Sequence, residues 1–155
     1  MKITNNEVFA ANNYIADLKL SKFDKDIRLA LFKNMGELSQ VVKQMQDKQE
    51  AAKKKVFEGL DDEAVKVNKL RQEFNSKETS NERKAEIFKE LLTYQKYFEA
   101  EKEYNEVVAN FGNDEIEVNI VAFDYDKFVD SLIAADIDFT TGNLNMVRFM
   151  FNELK

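Results

Sequence analysis

The sequence predicts a mostly α protein with a minor β component: a long antiparallel, coiled-coil-like helical hairpin on a base of short helices and a small two-stranded sheet. Three observations carry this reading. Residues 21–111 contain no proline, and Gly36 and Gly59 are their only glycines, so long helices meet few internal breakers. Apolar residues between 27 and 56 recur at helical spacing. Residues 115–121 then switch to strict alternation, the period of a half-buried strand.

Taken in order, residues 4–18 open with a helix start signal. Thr4 and Glu7 have capping-box spacing, and Ile3 and Val8 occupy the hydrophobic-staple positions. Val8, Ala11, Ile15 and Leu18 mark one face, and Met1–Ile3 ahead of it read as extended. The first arm is expected from Ser21, with Asp24 at its positive end. Its seam runs Ile27, Leu31, Met35, Leu38, Val42, Met45, Gln49, Ala52 and Val56, in steps that alternate four and three from Leu31 onward. Leu29, Phe32 and Val41 lie beside the seam and thicken the base, whereas Gln49 and Ala52 thin it towards a slender tip.

Gly59, with Leu60, Asp61 and Asp62, marks the reversal. Ala64, Val67, Leu70 and Phe74 begin the return. Ser76–Asn81 interrupts it with side chains that compete for backbone hydrogen bonds, and Thr79 and Glu82 offer a second capping box. Ile87, Phe88, Leu91, Tyr94, Phe98, Tyr104, Val108 and Phe111 continue as one wide stripe, stopped at Gly112–Asn113. In the tail, Ile116, Val118 and Ile120 alternate with Glu115, Glu117 and Asn119. A lone strand leaves its backbone unpaired, so this one is expected to pair with residues 1–4, the other extended segment. A helix after Asp124 carries Phe128, Leu132 and Ile133; another after Thr140 or Thr141 carries Leu144, Val147, Met150, Phe151 and Leu154.

The length of 155 residues, 44% of them hydrophobic and 13 of them phenylalanine, suits one domain with a real core. Within it, 1–20 form the N-terminal strand and helix, 21–111 the hairpin, and 112–155 an acidic strand with two short helices. Residues 112–155 hold nine acids against Lys127, Arg148 and Lys155, which accounts for the whole net charge of −6. Residues 43–55 instead hold five lysines against Asp47 and Glu50, so the hairpin tip is locally basic. No apolar run reaches the ~18 residues that a spanning helix needs. The first residues also lack the apolar stretch of a signal peptide, so a cytoplasmic setting is expected.

The chain has no histidine and no cysteine, which excludes an imidazole base, a thiolate nucleophile and any Cys/His zinc or iron–sulfur site. Asp124 with Asp126, and Asp136 with Asp138, are the candidate ligands for a hard cation. A calcium loop from Asp136 would need glycine at its sixth position and glutamate at its twelfth, where this chain has Thr141 and Val147. Asp124 has a ready role as a helix cap instead. Ser131 falls on a helix, without the strained turn or partner base of a hydrolase nucleophile. The glycines are isolated, so no phosphate-cradling loop is present. These residues indicate no cofactor and no small-molecule substrate.

Two surfaces remain. Lys48, Lys53, Lys54 and Lys55 form a basic contact patch at the tip, which lacks the arginines and interleaved aromatics of a nucleic-acid site and also suits a helix C-terminus. Tyr94, Tyr97 and Tyr104 do not all fall on one narrow stripe with Phe98 and Phe111, which makes them candidates for a protein interface.

The order of elements resembles a family of small phage and prophage proteins encoded among virion and tail genes. The resemblance rests on Met1-Lys-Ile-Thr-Asn5, the lysine-rich hairpin, Glu117-Val-Asn-Ile-Val121, Phe128-Val-Asp-Ser-Leu-Ile133 and Ile137-Asp-Phe-Thr-Thr-Gly-Asn-Leu144. Thr140–Asn143 stands where that family has a Ser-Pro type cap. The resemblance implies a virion-associated role and transfers no catalytic residue. The expected function is therefore a non-enzymatic protein-interaction or structural/assembly component, of a phage virion, with a protein partner or a second copy bound. The alternative is a nucleic-acid-associated or regulatory coiled-coil module using the lysine-rich tip. A negative chain makes nucleic acid the weaker partner. A metal-dependent enzyme using the acidic tail is the third class.

Overall fold

A computed structural model of the chain describes residues 1–152. Among the described residues, seven α-helices and one two-stranded sheet are the main elements: β1 (Lys2–Thr4), α1 (Asn5–Asp17), α2 (Lys25–Val56), α3 (Asp61–Asn75), α4 (Asn81–Leu91), α5 (Gln95–Asn113), β2 (Glu115–Glu117), α6 (Tyr125–Ala134) and α7 (Thr141–Val147). Short 3-10 turns at Leu20–Lys22 and Arg148–Met150 complete the order. The fold is mostly α with minor β. Among the described residues no helix is long and apolar enough to cross a membrane.

Packing divides the chain into two compact units. Among the described residues, one comprises 1–47 with 111–152, and the other Lys48–Asn110. In the first, β1 and β2 pair antiparallel with Ile3 opposite Ile116, the pairing that the period of two implied. Thr4 and Glu7 form the full capping box of α1, and the staple residues Ile3 and Val8 are buried. α2 begins at Lys25, four residues later than the expected Ser21. The Asp24 carboxylate caps it, accepting from the amides of Asp26 at 2.9 Å and Ile27 at 3.4 Å. Phe23, just ahead, is drawn into the core and holds the preceding turn out of the helix.

The seam of α2 is buried at Ile27, Leu31, Leu38, Val42 and Met45. Val41 is buried beside it, but Leu29 and Phe32, expected to thicken the base, are about half exposed. The second inward row of α2 instead contains Ala30 and Asn34, and Asn34 is fully buried. Its amide donates to the carbonyl of Val121 at 3.0 Å and accepts from the same residue's N–H at 2.8 Å. The chain leaves the sheet after Glu117, so the alternating stretch to Val121 is only partly strand. Beyond β2 it is held by side chains of α2, with Glu37 accepting from Asn119 N–H at 3.1 Å.

The tail supplies the centre of this unit's core. α6 is capped by Asp124 as expected, through Lys127 N–H at 2.8 Å. Phe128, fully buried, has Phe23, Phe123, Phe139 and Phe151 around it at ring-centroid distances of 5.4–6.0 Å. α7 starts with a capping box between Thr140 and Asn143 but ends at Val147. Met150 and Phe151, expected on that helix, leave it, and Phe151 forms a parallel bridge with Phe123. The bridge satisfies Phe123 on both sides, from its N–H to Met150 and from Asn152 N–H to its carbonyl. Leu154 lies outside the described residues.

In the second unit the returning arm, expected with one break at Ser76–Asn81, is three helices. The break at Ser76–Ser80 falls where the sequence placed it, but Ser80 rather than Thr79 caps α4. The Thr79 hydroxyl is spent on the carbonyl of Glu73, ending α3 instead of starting α4. A second break at Leu92–Tyr94 was not legible. There the Thr93 hydroxyl donates to Glu90 at 2.7 Å, closing the last turn of α4. α3 and α4 pack side by side, with Arg83 reaching back to Glu73 and Lys84 lying over the Phe74 ring. Val67, Leu70, Ile87, Tyr97 and Ala100 form the buried interior.

Two substitutions test these supports. Asn34→Ala removes the amide without adding bulk and leaves the N–H and C=O of Val121 without their side-chain partner. It should cost about 2–3 kcal/mol in chemical denaturation, and a loss under ~1 kcal/mol would contradict the role given to Asn34. Gly59 has φ 76° in the turn between α2 and α3, and a Cβ there would meet no atom within 4 Å. Gly59→Ala should therefore lose about 1–2 kcal/mol by backbone strain alone.

Candidate interaction surface

The three tyrosines proposed for an interface have different fates. Tyr97 is buried, which removes it from any partner surface. Its ring lies 5.5 Å from Phe57 and 5.8 Å from Phe98, both rings borne by segments that close around it. Tyr104 is half-buried against Phe57 at 6.0 Å. Tyr94 is half-buried in the turn between α4 and α5, where its carbonyl accepts the first helical bond of α5 from Phe98. These rings therefore serve mainly as packing, with Phe57 as the shared contact of Tyr97 and Tyr104.

Arg71 seals the cluster from α3. Its guanidinium makes a two-pronged contact with Glu101 at 2.8 and 2.7 Å and lies 5.3 Å from the Phe98 ring centre. The hydrogen bonds from Arg71 hold the Glu101 carboxyl below its ordinary value, against a smaller opposing effect of burial. Arg83 does the same to the exposed Glu73.

What the second unit leaves uncovered is aliphatic and aromatic. Phe88 and Leu92, one turn apart at the end of α4, are each 57% exposed, and Val65 of α3 is 53% exposed. The wide stripe expected from Ile87 to Phe111 thus splits in two. Ile87 is buried and Leu91 half-buried, while their chain neighbours Phe88 and Leu92 face outward. The doublets Ile87-Phe88 and Leu91-Leu92, four residues apart, were the signal: on a helix each second member lies ~100° from the first.

The lysine patch is exposed at Lys48, Lys53, Lys54 and Lys55. Lys53 and Lys54 share a cleft of about 420 Å³ with Glu50, Glu58 and Asp61. Acids outnumber bases there, so this cleft is no cradle for a polyanion.

Comparison with protein-family models, with curated proteins and with solved structures returns no match. Functional reading therefore rests on the chain's own surfaces.

The acidic tail does structural work. Asp124 caps α6, and Asp136, with φ 56°, takes the left-handed position that ends it, its N–H bonded to Ile133 and that of Ile137 to Leu132. Among the described residues no three carboxylates gather as a metal-binding group. Ser131 is buried. Its hydroxyl donates to Lys127 carbonyl at 2.8 Å and accepts from Asp24 N–H at 3.0 Å, tying the start of α2 to α6.

The Arg71–Glu101 pair gives a pH test. A carboxyl with a lowered folded pKa adds stability that is present above its unfolded value and lost as pH falls through the folded one. Glu101→Gln should therefore melt below wild type at pH 7, and the gap should narrow towards pH 3. A gap that stays constant with pH would rule out the charged pair as its source.

Proposed function

We propose that this chain is a non-enzymatic protein-interaction component with a structural or assembly role, and that α4 carries its contact face. The observation that supports this is the exposed pair Phe88 and Leu92. Two large apolar side chains one helical turn apart, left to water, are the anchors with which a helix meets a protein groove or another helix. Burying both on binding would add roughly 2–3 kcal/mol before the costs of association. Charges of both signs surround them, Lys89 and Glu90 between and Glu82 to Glu86 ahead, as in the polar rim of an interface. The segments that resemble small phage and prophage proteins support virion assembly as the setting.

The lysine-rich tip supports a second reading, contact with a polyanion, because Lys53, Lys54 and Lys55 are all exposed. The neighbouring Glu50, Glu58 and Asp61 weigh against it.

The double variant Phe88→Glu/Leu92→Glu separates the two. Its melting temperature should stay within a few degrees of wild type, because both sites are exposed. Sedimentation across a concentration series, and co-purification from the native host, should show a self-associated or partner-bound species that the variant loses by at least tenfold in affinity. Unchanged association in that variant would refute α4 as the contact face. Salt-sensitive binding to DNA or RNA, abolished by Lys53→Glu/Lys54→Glu/Lys55→Glu, would replace the proposal with the second reading.

A further inference from the structure

One cavity of the first unit is lined by none of the residues of the proposed α4 face. It is a groove of about 540 Å³ between the end of α1, the turn at Leu20–Lys22 and α2. Leu18, Leu20, Phe32 and Met35 contribute apolar walls. Phe32, in one wall, is 50% exposed, so a large ring in this groove faces water. The volume falls within the roughly 300–1,000 Å³ typical of small-molecule sites.

The polar lining is sparse and of one sign. Arg28 and Ser21 supply it, and no acid lines the groove. Arg28 is half-buried, and its guanidinium makes no hydrogen bond or ion pair with any described residue. This sets the groove apart from the other clefts. The trough beside α6 balances Asp26 and Asp124 against Lys33 and Lys127, and the tip cleft surrounds its lysines with acids. The other arginines with described partners, Arg71 and Arg83, are both paired with carboxylates. Arg28, Phe32 and Met35 stand at i, i+4 and i+7, so one face of α2 presents the cation and then the apolar wall in line.

We propose that this groove binds an alkyl carboxylate, a medium-chain fatty acid in class, with the carboxylate on Arg28 and the chain along Phe32 and Met35. A guanidinium fork matches a carboxylate with two parallel hydrogen bonds, and partial burial strengthens that contact. One cation suits a single negative charge. A phosphate dianion would call for more than Arg28 and Ser21 provide. The alkyl chain would cover the exposed Phe32 ring and be released from water itself. Nothing in this site depends on α4 or on a protein partner.

The test uses the full chain, titrated with decanoate below its micelle-forming concentration and followed by amide NMR. Decanol and an apolar tripeptide with a free C-terminus are parallel ligands. Saturable one-to-one binding is expected, with shifts concentrated at Leu18–Lys22 and Phe32–Met35. Decanol and the peptide should bind at least tenfold more weakly than decanoate. Arg28→Gln should weaken decanoate about tenfold or more and leave decanol unchanged, while Arg28→Lys should restore part of the loss. Phe32→Ala should weaken both. Both positions are solvent-accessible, and melting curves will show that the variants fold. No saturable shift, shifts centred elsewhere, or equal binding of decanol would overturn the proposal. So would undiminished binding of decanoate to Arg28→Gln. Tighter binding of the tripeptide than of decanoate would replace the fatty acid with a peptide C-terminus and overturn the assignment as stated.

Discussion

The amide of Asn34 does for the segment after β2 what a further strand would otherwise do. It sits in the buried face of α2 and bonds both polar groups of the Val121 peptide. Burial of an unpaired amide is unfavourable by about 1–3 kcal/mol in protein measurements, so this position is tolerable only with the connector in place. The contact also fixes register, because sliding the connector by one residue would turn those groups away. Two residues later Phe123 enters the parallel bridge with Phe151, and the next residue, Asp124, caps α6. Ser131 of α6 then receives the N–H of Asp24 at the start of α2. The polar contacts thus close a circuit that begins and ends on α2.

Apolar packing fills that circuit. α6 and α7 have only 10 and 7 residues, lengths at which an isolated helix is marginal in water. Their order comes from burial, and Phe128 concentrates it. Edge-to-face and tilted rings around one phenylalanine suit the aromatic quadrupole better than stacked faces would, and they lock the tail's turns against Phe23, just ahead of α2. The second unit is built differently. Its interior is smaller, and a two-pronged arginine contact over aromatic rings closes it. Large apolar side chains stay outside on α3 and at the end of α4, the observation behind the proposed contact role.

Several elements were legible because their causes are local. The capping box at Thr4–Glu7, the helix start at Thr140 or Thr141, the Asp124 cap, the turn at Gly59 and the seam from Ile27 to Met45 each depend on residues a few positions apart. The pairing of β1 with β2 was legible by elimination, as each was the other's only extended partner. Competition between equivalent signals was less readable. Asp24 over Ser21, Ser80 over Thr79, and the stop at Thr93 were each decided by where one hydroxyl or carboxylate found its hydrogen-bond partner. The tyrosine interface failed at Tyr97 for a related reason. Its helical position allowed either face, and Phe57, in the turn between α2 and α3, claimed it.

The sequence by itself determined the class, the starts of α1, α6 and α7 and most of the inward face of α2, since propensity, capping and periodicity act over one or two turns. It also excluded imidazole and thiolate chemistry by composition alone. Tertiary structure decided the rest. It joined Asn34 to Val121 across 87 positions and Asp24 to Ser131 across 107. It turned Phe88 and Leu92 outward while Ile87 went in, and it left Arg28 beside an apolar wall without an acid. Such outcomes depend on which surfaces meet. A stripe of apolar residues states that something will be buried, and only the packed chain settles which side is covered and which remains to bind.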